Sequence, residues 1–211
     1  MRKHHRYFIY SLLIILILVG STVTFFYERH QSSQYSKLQN LPTLKIGDWV
    51  VRLGTVNDSR WISYLGKSEY SHIGIIVQLH PKILVVHATT NDGESASNQV
   101  IVSELEHFLS PKLAQKGTII RPMFLNQQEK HKIAAFILNQ RGRPFILSSK
   151  DEPHLYCTTL LSDSIAQFHP SFKPKSNYIS APFFKGEYLF PQAFVDYPDI
   201  KVIYQVDNLI M

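Results

Sequence analysis

The chain has 211 residues, 45% of them hydrophobic and 18% charged, with a formal net charge of +6 and a single cysteine. One cysteine excludes an intramolecular disulfide framework, and without a Cys cluster or a His-x-x-x-His pair no metal site or cofactor is expected. The basic excess suits an anionic surface, but no basic–aromatic run accompanies it, so no nucleic-acid partner is expected.

Residues 1–6 form a basic leader (Arg2, Lys3, Arg6). Residues 7–27 continue without a charge, around Leu12-Leu13-Ile14-Ile15-Leu16-Ile17-Leu18-Val19. That is the length of a transmembrane helix, about twenty residues. The basic flank predicts a cytoplasmic amino terminus and export of the remainder of the chain. The exit from Gly20 to Tyr27 lacks a small-residue cleavage site, which favours an uncleaved anchor over a cleaved, secreted form. The expectation is a single-pass membrane protein, partnered with the membrane through its N-terminal helix, with an extracytoplasmic domain (periplasmic in a Gram-negative envelope). Residues 28–42, rich in Gln, Ser and Asn, read as a polar tether. Residues 43–211 are the folded domain.

Within it, Trp49-Val50-Val51-Arg52-Leu53 alternates as a strand does. Asn57, Asp58 and Ser59 offer caps for a short helix through Trp61, Ile62 and Leu65. Ile73–Val77 and Ile83–Val86 are two apolar strands joined through residues 78–82, and Asn91-Asp92-Gly93 marks a turn. A strand around Val100–Val102 leads to Ser103 and Glu106, whose spacing is that of a capping box for a helix through Leu105, Phe108 and Leu109. Thr118–Arg121 is another short strand. Asn126 and Glu129 have the same capping-box spacing before a helix through Ile133, Phe136, Ile137 and Gln140, ended by Gly142 and Pro144. A further amphipathic helix opens at Cys157, with Leu160, Leu161, Ile165 and Phe168 on its apolar face, and Pro170 closes it. From Pro174 the chain reads as irregular and aromatic until a strand at Val202-Ile203-Tyr204. Strands and helices segregate, which predicts an α+β fold with an antiparallel sheet.

His72 opens the first hairpin strand and His87 closes the second, so the two are neighbours across an antiparallel ladder. Loop parity decides whether they share a face. On one face, one imidazole can act as base to Cys157 while the other orients it. The helix start would lower the thiol pKa, and the Cys157 backbone N–H is a ready oxyanion donor. His80, His107, His131, His154 and His169 read as structural.

Several segments recur in this order in the YiiX/YebB-like hydrolases, which the chain resembles over most of its folded domain. They are Gly47-Asp48-Trp49-Val50-Val51-Arg52, Tyr70-Ser71-His72-Ile73-Gly74-Ile75-Ile76, Val85-Val86-His87-Ala88 and Tyr156-Cys157-Thr158. Gly142-Arg143-Pro144-Phe145 and Phe190-Pro191-Gln192-Ala193-Phe194 are also similar. The resemblance implies a circularly permuted papain-like fold of the NlpC-type superfamily, with an antiparallel sheet and a nucleophile-bearing helix. It implies Cys157 as nucleophile, His72 as base and His87 as the orienting residue. Many relatives carry Glu at the position of His87, and the lecithin:retinol acyltransferase-like branch carries His. Relatives commonly read Tyr-Cys-Ser-Glu where this chain has Thr158-Thr159. The implied activity is a membrane-anchored cysteine hydrolase that cleaves an amide or ester, in a cell-wall peptide or a lipid acyl group, through a thioester. A catalytically inactive binding or scaffold domain at the cell envelope is the alternative.

Overall fold

In the computed structural model, residues 38–90, 98–182 and 184–207 are described, without the side chains of residues 57 and 58. They run in order β1 (Trp49–Gly54), α1 (Asn57–Gly66), β2 (His72–Gln78), β3 (Leu84–Thr89), β4 (Gln99–Glu104) and the single turn α2 (Leu105–Phe108). Next come β5 (Ala114–Pro122), α3 (Gln127–Leu138), α4 (Cys157–Ala166), β6 (Asn177–Ala181), β7 (Phe184–Tyr188), α5 (Gln192–Val195) and β8 (Ile200–Asp207). Six strands form one sheet in the order β4-β3-β2-β1-β5-β8, and every pairing in it is antiparallel. The expected α+β class and antiparallel sheet are present.

Period-two alternation gives this sheet two apolar faces. Trp49, Val51, Ile73, Ile75, Val86, Ala88 and Ile120 pack with Ile133 and Ile137 of α3 and with Leu160, Leu161 and Ile165 of α4. Val50, Ile76, Val85 and Ile119 point the other way, onto Leu105, Phe108 and Leu109. A third cluster joins Tyr156, just ahead of α4, to Ile179, Tyr188 and Phe190. The β6–β7 hairpin therefore covers the start of α4, in a stretch the sequence reads as irregular.

Two helix starts depart from their expected caps, and one matches. The α1 helix is capped by Val56 without a side-chain hydrogen bond. Ser103 lies within β4, and Glu104 is the cap residue of α2, with no side-chain cap bond. At α3, Asn126 and Glu129 make both bonds of the capping box. The turn expected at residues 91–93 lies outside the described residues.

The membrane expectation is corrected. Among the described residues no helix is long and apolar enough to cross a membrane. The longest of them, α3, has 12 residues, against about twenty for a span. The anchor expected over residues 7–27 lies outside the described residues. An uncharged run is a signal of composition only, and no described helix carries it across a bilayer. The single-pass placement, the extracytoplasmic location drawn from it and the membrane partnership through an N-terminal helix are therefore withdrawn.

Candidate active site

The site lies where the sheet forks. β1 pairs with β2 as far as Arg52↔His72, and β3 pairs with β4 as far as Thr89↔Gln99. The β2–β3 ladder stops at Ile75↔Val86. Beyond it each strand is paired with its outer neighbour. The entry to β2 is fixed by Ser71, whose backbone N–H donates to the Arg52 carbonyl at 2.9 Å and whose hydroxyl accepts the Gly54 N–H at 2.9 Å.

His72 and His87 project from the fork onto the same face, the face of Phe108. Their rings meet edge to face with centroids 5.0 Å apart, and His72 Nε2 lies 2.8 Å from His87 Nδ1. Continuing the observed register places His87 opposite Gly74, so the imidazoles are diagonal neighbours. Gly74 permits the approach: a Cβ there would stand 2.5 Å from Val85 Cγ1 and 3.3 Å from His87 Cβ. His87 is fully buried, and its Nε2 lies 3.0 Å from the hydroxyl of buried Ser103. Three groups share the Phe108 ring. His72 stacks on it at 5.5 Å, His87 meets it at 4.9 Å, and the Arg52 guanidinium lies 4.3 Å from its centroid. Arg52 Nη1 also donates to the Phe108 carbonyl at 2.8 Å.

Cys157 comes from the opposite face. It is the first residue of α4, which packs on β2 and β3. Only 9% of it is exposed. Burial pushes its thiol up to about 11, against the partial relief of hydrogen bonds from the Ile73 and Thr158 backbone N–H groups and of the Arg52 charge. Helix-start stabilisation is thus outweighed by desolvation, and the lowered thiol pKa expected from the sequence is replaced by a raised one. The thiol meets the backbone of Ile73, the residue next to His72.

The segment around the thiol is clamped. Thr159 Oγ1 accepts the Tyr156 backbone N–H at 2.9 Å. Tyr156 Oη accepts the Leu189 N–H at 3.0 Å, and Thr158 Oγ1 donates to the Leu189 carbonyl at 2.8 Å. The residues on either side of Cys157 therefore hold both polar groups of one peptide residue. Burial raises the Tyr156 phenol to about 12.

Sequence reasoning missed Ser103, Arg52 and Phe108 as parts of the site. Arg52 had a signal, since it occupies the inward alternation shared with Val50. Ser103 was masked by its capping-box spacing.

Fold and site together define an α+β protein with a cysteine at a helix start and a histidine pair at a fork in an antiparallel sheet. Searches of protein-family models and of curated proteins found no match. Among solved structures, the chain is similar to the metalloprotein yiiX from Escherichia coli O157:H7. The TM-score is 0.62 at 18% identity, covering 77% of this chain and 97% of that one. The chain has a YiiX-like fold, as the motif resemblance implied.

Proposed function

We propose that the protein is a cysteine hydrolase of circularly permuted papain-like architecture, with Cys157 as nucleophile, His72 as base and His87 as the residue that orients His72. The observation that carries this reading is the 2.8 Å contact between the two imidazoles beside the backbone that meets the thiol. With a raised pKa the resting sulfur is a neutral thiol, so the chemistry is general-base catalysis in the attack step.

When an acyl carbonyl approaches, Cys157 Sγ forms the S–C bond as its proton passes to His72 across the open end of the β2–β3 ladder, where the thiol meets the Ile73 backbone. His87 Nδ1 accepts the His72 Nε2–H and supports the imidazolium. The backbone N–H groups at the α4 start are suited to receive the oxyanion. Collapse expels the amine or alcohol, which takes the proton from His72. Water then attacks the thioester, giving its proton to His72, and releases the acid and the thiol. Cell-wall peptides and lipid acyl groups both offer such a carbonyl.

The protein of similar fold is called a metalloprotein. Among the described residues no three His, Cys, Asp or Glu side chains form a set that could hold a metal, and His72 Nε2 and His87 Nδ1 are committed to each other. The described residues do not fit a metal centre, and no step is routed through one.

The test is hydrolysis of an activated acyl ester by the purified protein, with mass spectrometry of the quenched mixture. Wild type is expected to turn over and to carry an acyl adduct on Cys157. Cys157→Ala should abolish both, and His72→Ala should remove most turnover. Phospholipid and cell-wall fragments, run in parallel, separate the substrate classes. The burial of Cys157 favours one second reading, a catalytically silent binding domain. It would be supported if no acyl adduct forms with any of these substrates.

A further inference from the structure

We propose that Phe108 is a positioning residue for the base: its ring seats His72 at the fork and offers a π face to the imidazolium formed when the thiol gives up its proton. This rests on His72 acting as the base.

The ring is placed by core packing. Phe108 ends the single turn α2 and is fully buried, in the cluster with Val50, Ile76, Val85, Leu105 and Ile119. The β2–β3 ladder ends at Ile75↔Val86, short of both histidines, and the Phe108 ring touches the side chains from both strands there. His72 of β2 lies nearly parallel to it, at an interplanar angle of 26° and 5.5 Å between centroids. His87 of β3 meets it at 78°. The angle of 87° between the two imidazoles fits two rings packed on a third in these two ways.

The faces of an aromatic ring are negative and its edge positive. A stacked imidazole is held by dispersion when neutral, and by the charge of the ring face as well when protonated. The ring already takes one cation, with Arg52 Cζ 4.3 Å from its centroid. Arg52 lies opposite His72 in the β1–β2 ladder, and its charge opposes a second positive group nearby. The Phe108 face acts against this repulsion as the proton arrives. An aliphatic side chain of similar bulk cannot.

The experiment compares full-length wild type with Phe108→Leu and with protein carrying pentafluorophenylalanine at position 108, a ring of similar shape whose faces are no longer negative. Histidine NMR across pH reads the charge state of His72 without substrate, and ester hydrolysis reads kcat and KM. In both variants the His72 titration is expected to move to lower pH by about one unit, the size of a desolvated cation–π contact. The kcat should fall about tenfold with KM little changed. Arg52 on β1, His87 on β3 and Cys157 on α4, the charged and titratable groups around His72, are the same in each protein. The fluorinated ring keeps the packing and decides the matter if Phe108→Leu fails to fold in a thermal melt. A His72 titration unchanged in the fluorinated protein would overturn the proposal. A shifted titration with no ester turnover even in wild type would instead sink the hydrolase reading and leave the charge role of the ring standing.

Discussion

The hydroxyl of Thr159 accepts the backbone N–H of Tyr156 at 2.9 Å and donates to the carbonyl of the same residue at 3.2 Å. Thr159 occupies the third position of α4, where an acidic side chain closes a capping box. The acidic residue common in YiiX-like sequences is absent, yet this capping bond is made by a shorter side chain.

Thr159→Ala removes that bond and should lower stability by about 1 kcal/mol, the usual cost of a lost cap. Thr159→Glu should retain most of it. Urea denaturation of the two variants against wild type checks the ordering, and equal losses would show that the cap contributes nothing.

The buried thiol makes stability fall at high pH. An unfolded cysteine ionises near 8.5, while folded Cys157 holds its proton to about 11. Between these values the unfolded chain releases a proton that the folded chain keeps, so unfolding gains. The stabilisation is complete below about pH 8.5 and is lost through pH 11, by about 3 kcal/mol in total. Cys157→Ser does not titrate there, and its denaturation midpoint should change less over this range.

Alkylation separates a resting thiol from a preformed thiolate. Iodoacetamide should react slowly with Cys157 at pH 7 and faster as pH rises toward 11. His72→Ala should change that rate little while removing most ester turnover. A fast plateau below pH 7, lost in His72→Ala, would instead establish an ion pair before substrate arrives.

Gly74→Ala tests the imidazole contact through the backbone. The added methyl would meet Val85 Cγ1 at 2.5 Å and the Val86 carbonyl at 3.0 Å. Overpacking of this kind costs about 1–3 kcal/mol, and relief requires β3 to shift and carry His87 with it. Turnover is expected to fall more than the melting temperature alone explains, measured at a temperature where the variant remains folded.

Local signals were legible where both partners lie in one turn. Asn126 and Glu129 cap α3 as their spacing predicts. Ser103 and Glu106 show equivalent spacing, but a buried imidazole competes for the serine, and the long-range partner wins. The shared face of His72 and His87 depended on hairpin parity. That parity is set by the register shift between Ile76 and Gln78, which composition does not reveal. The β6–β7 strands carry charges at Lys185 and Glu187 and a glycine at Gly186, so they lack an apolar alternation. They are held by the aromatic cluster at Tyr156, a contact made across sequence. Cys157 was found by its motif, but its raised pKa comes from packing.

The grip of Tyr156 and Thr158 on Leu189 ties the setting of Cys157 to the order in which the chain emerges during synthesis. The histidine strands come first, and the cysteine is added some seventy residues after His87. The peptide that locks its flanks is made later still. Domains generally fold as units, and this one cannot close the clamp on Tyr156 and Thr158 before Leu189 has been made. The nascent chain thus carries its imidazoles well before its thiol, and the setting of the thiol is completed by a residue made later still.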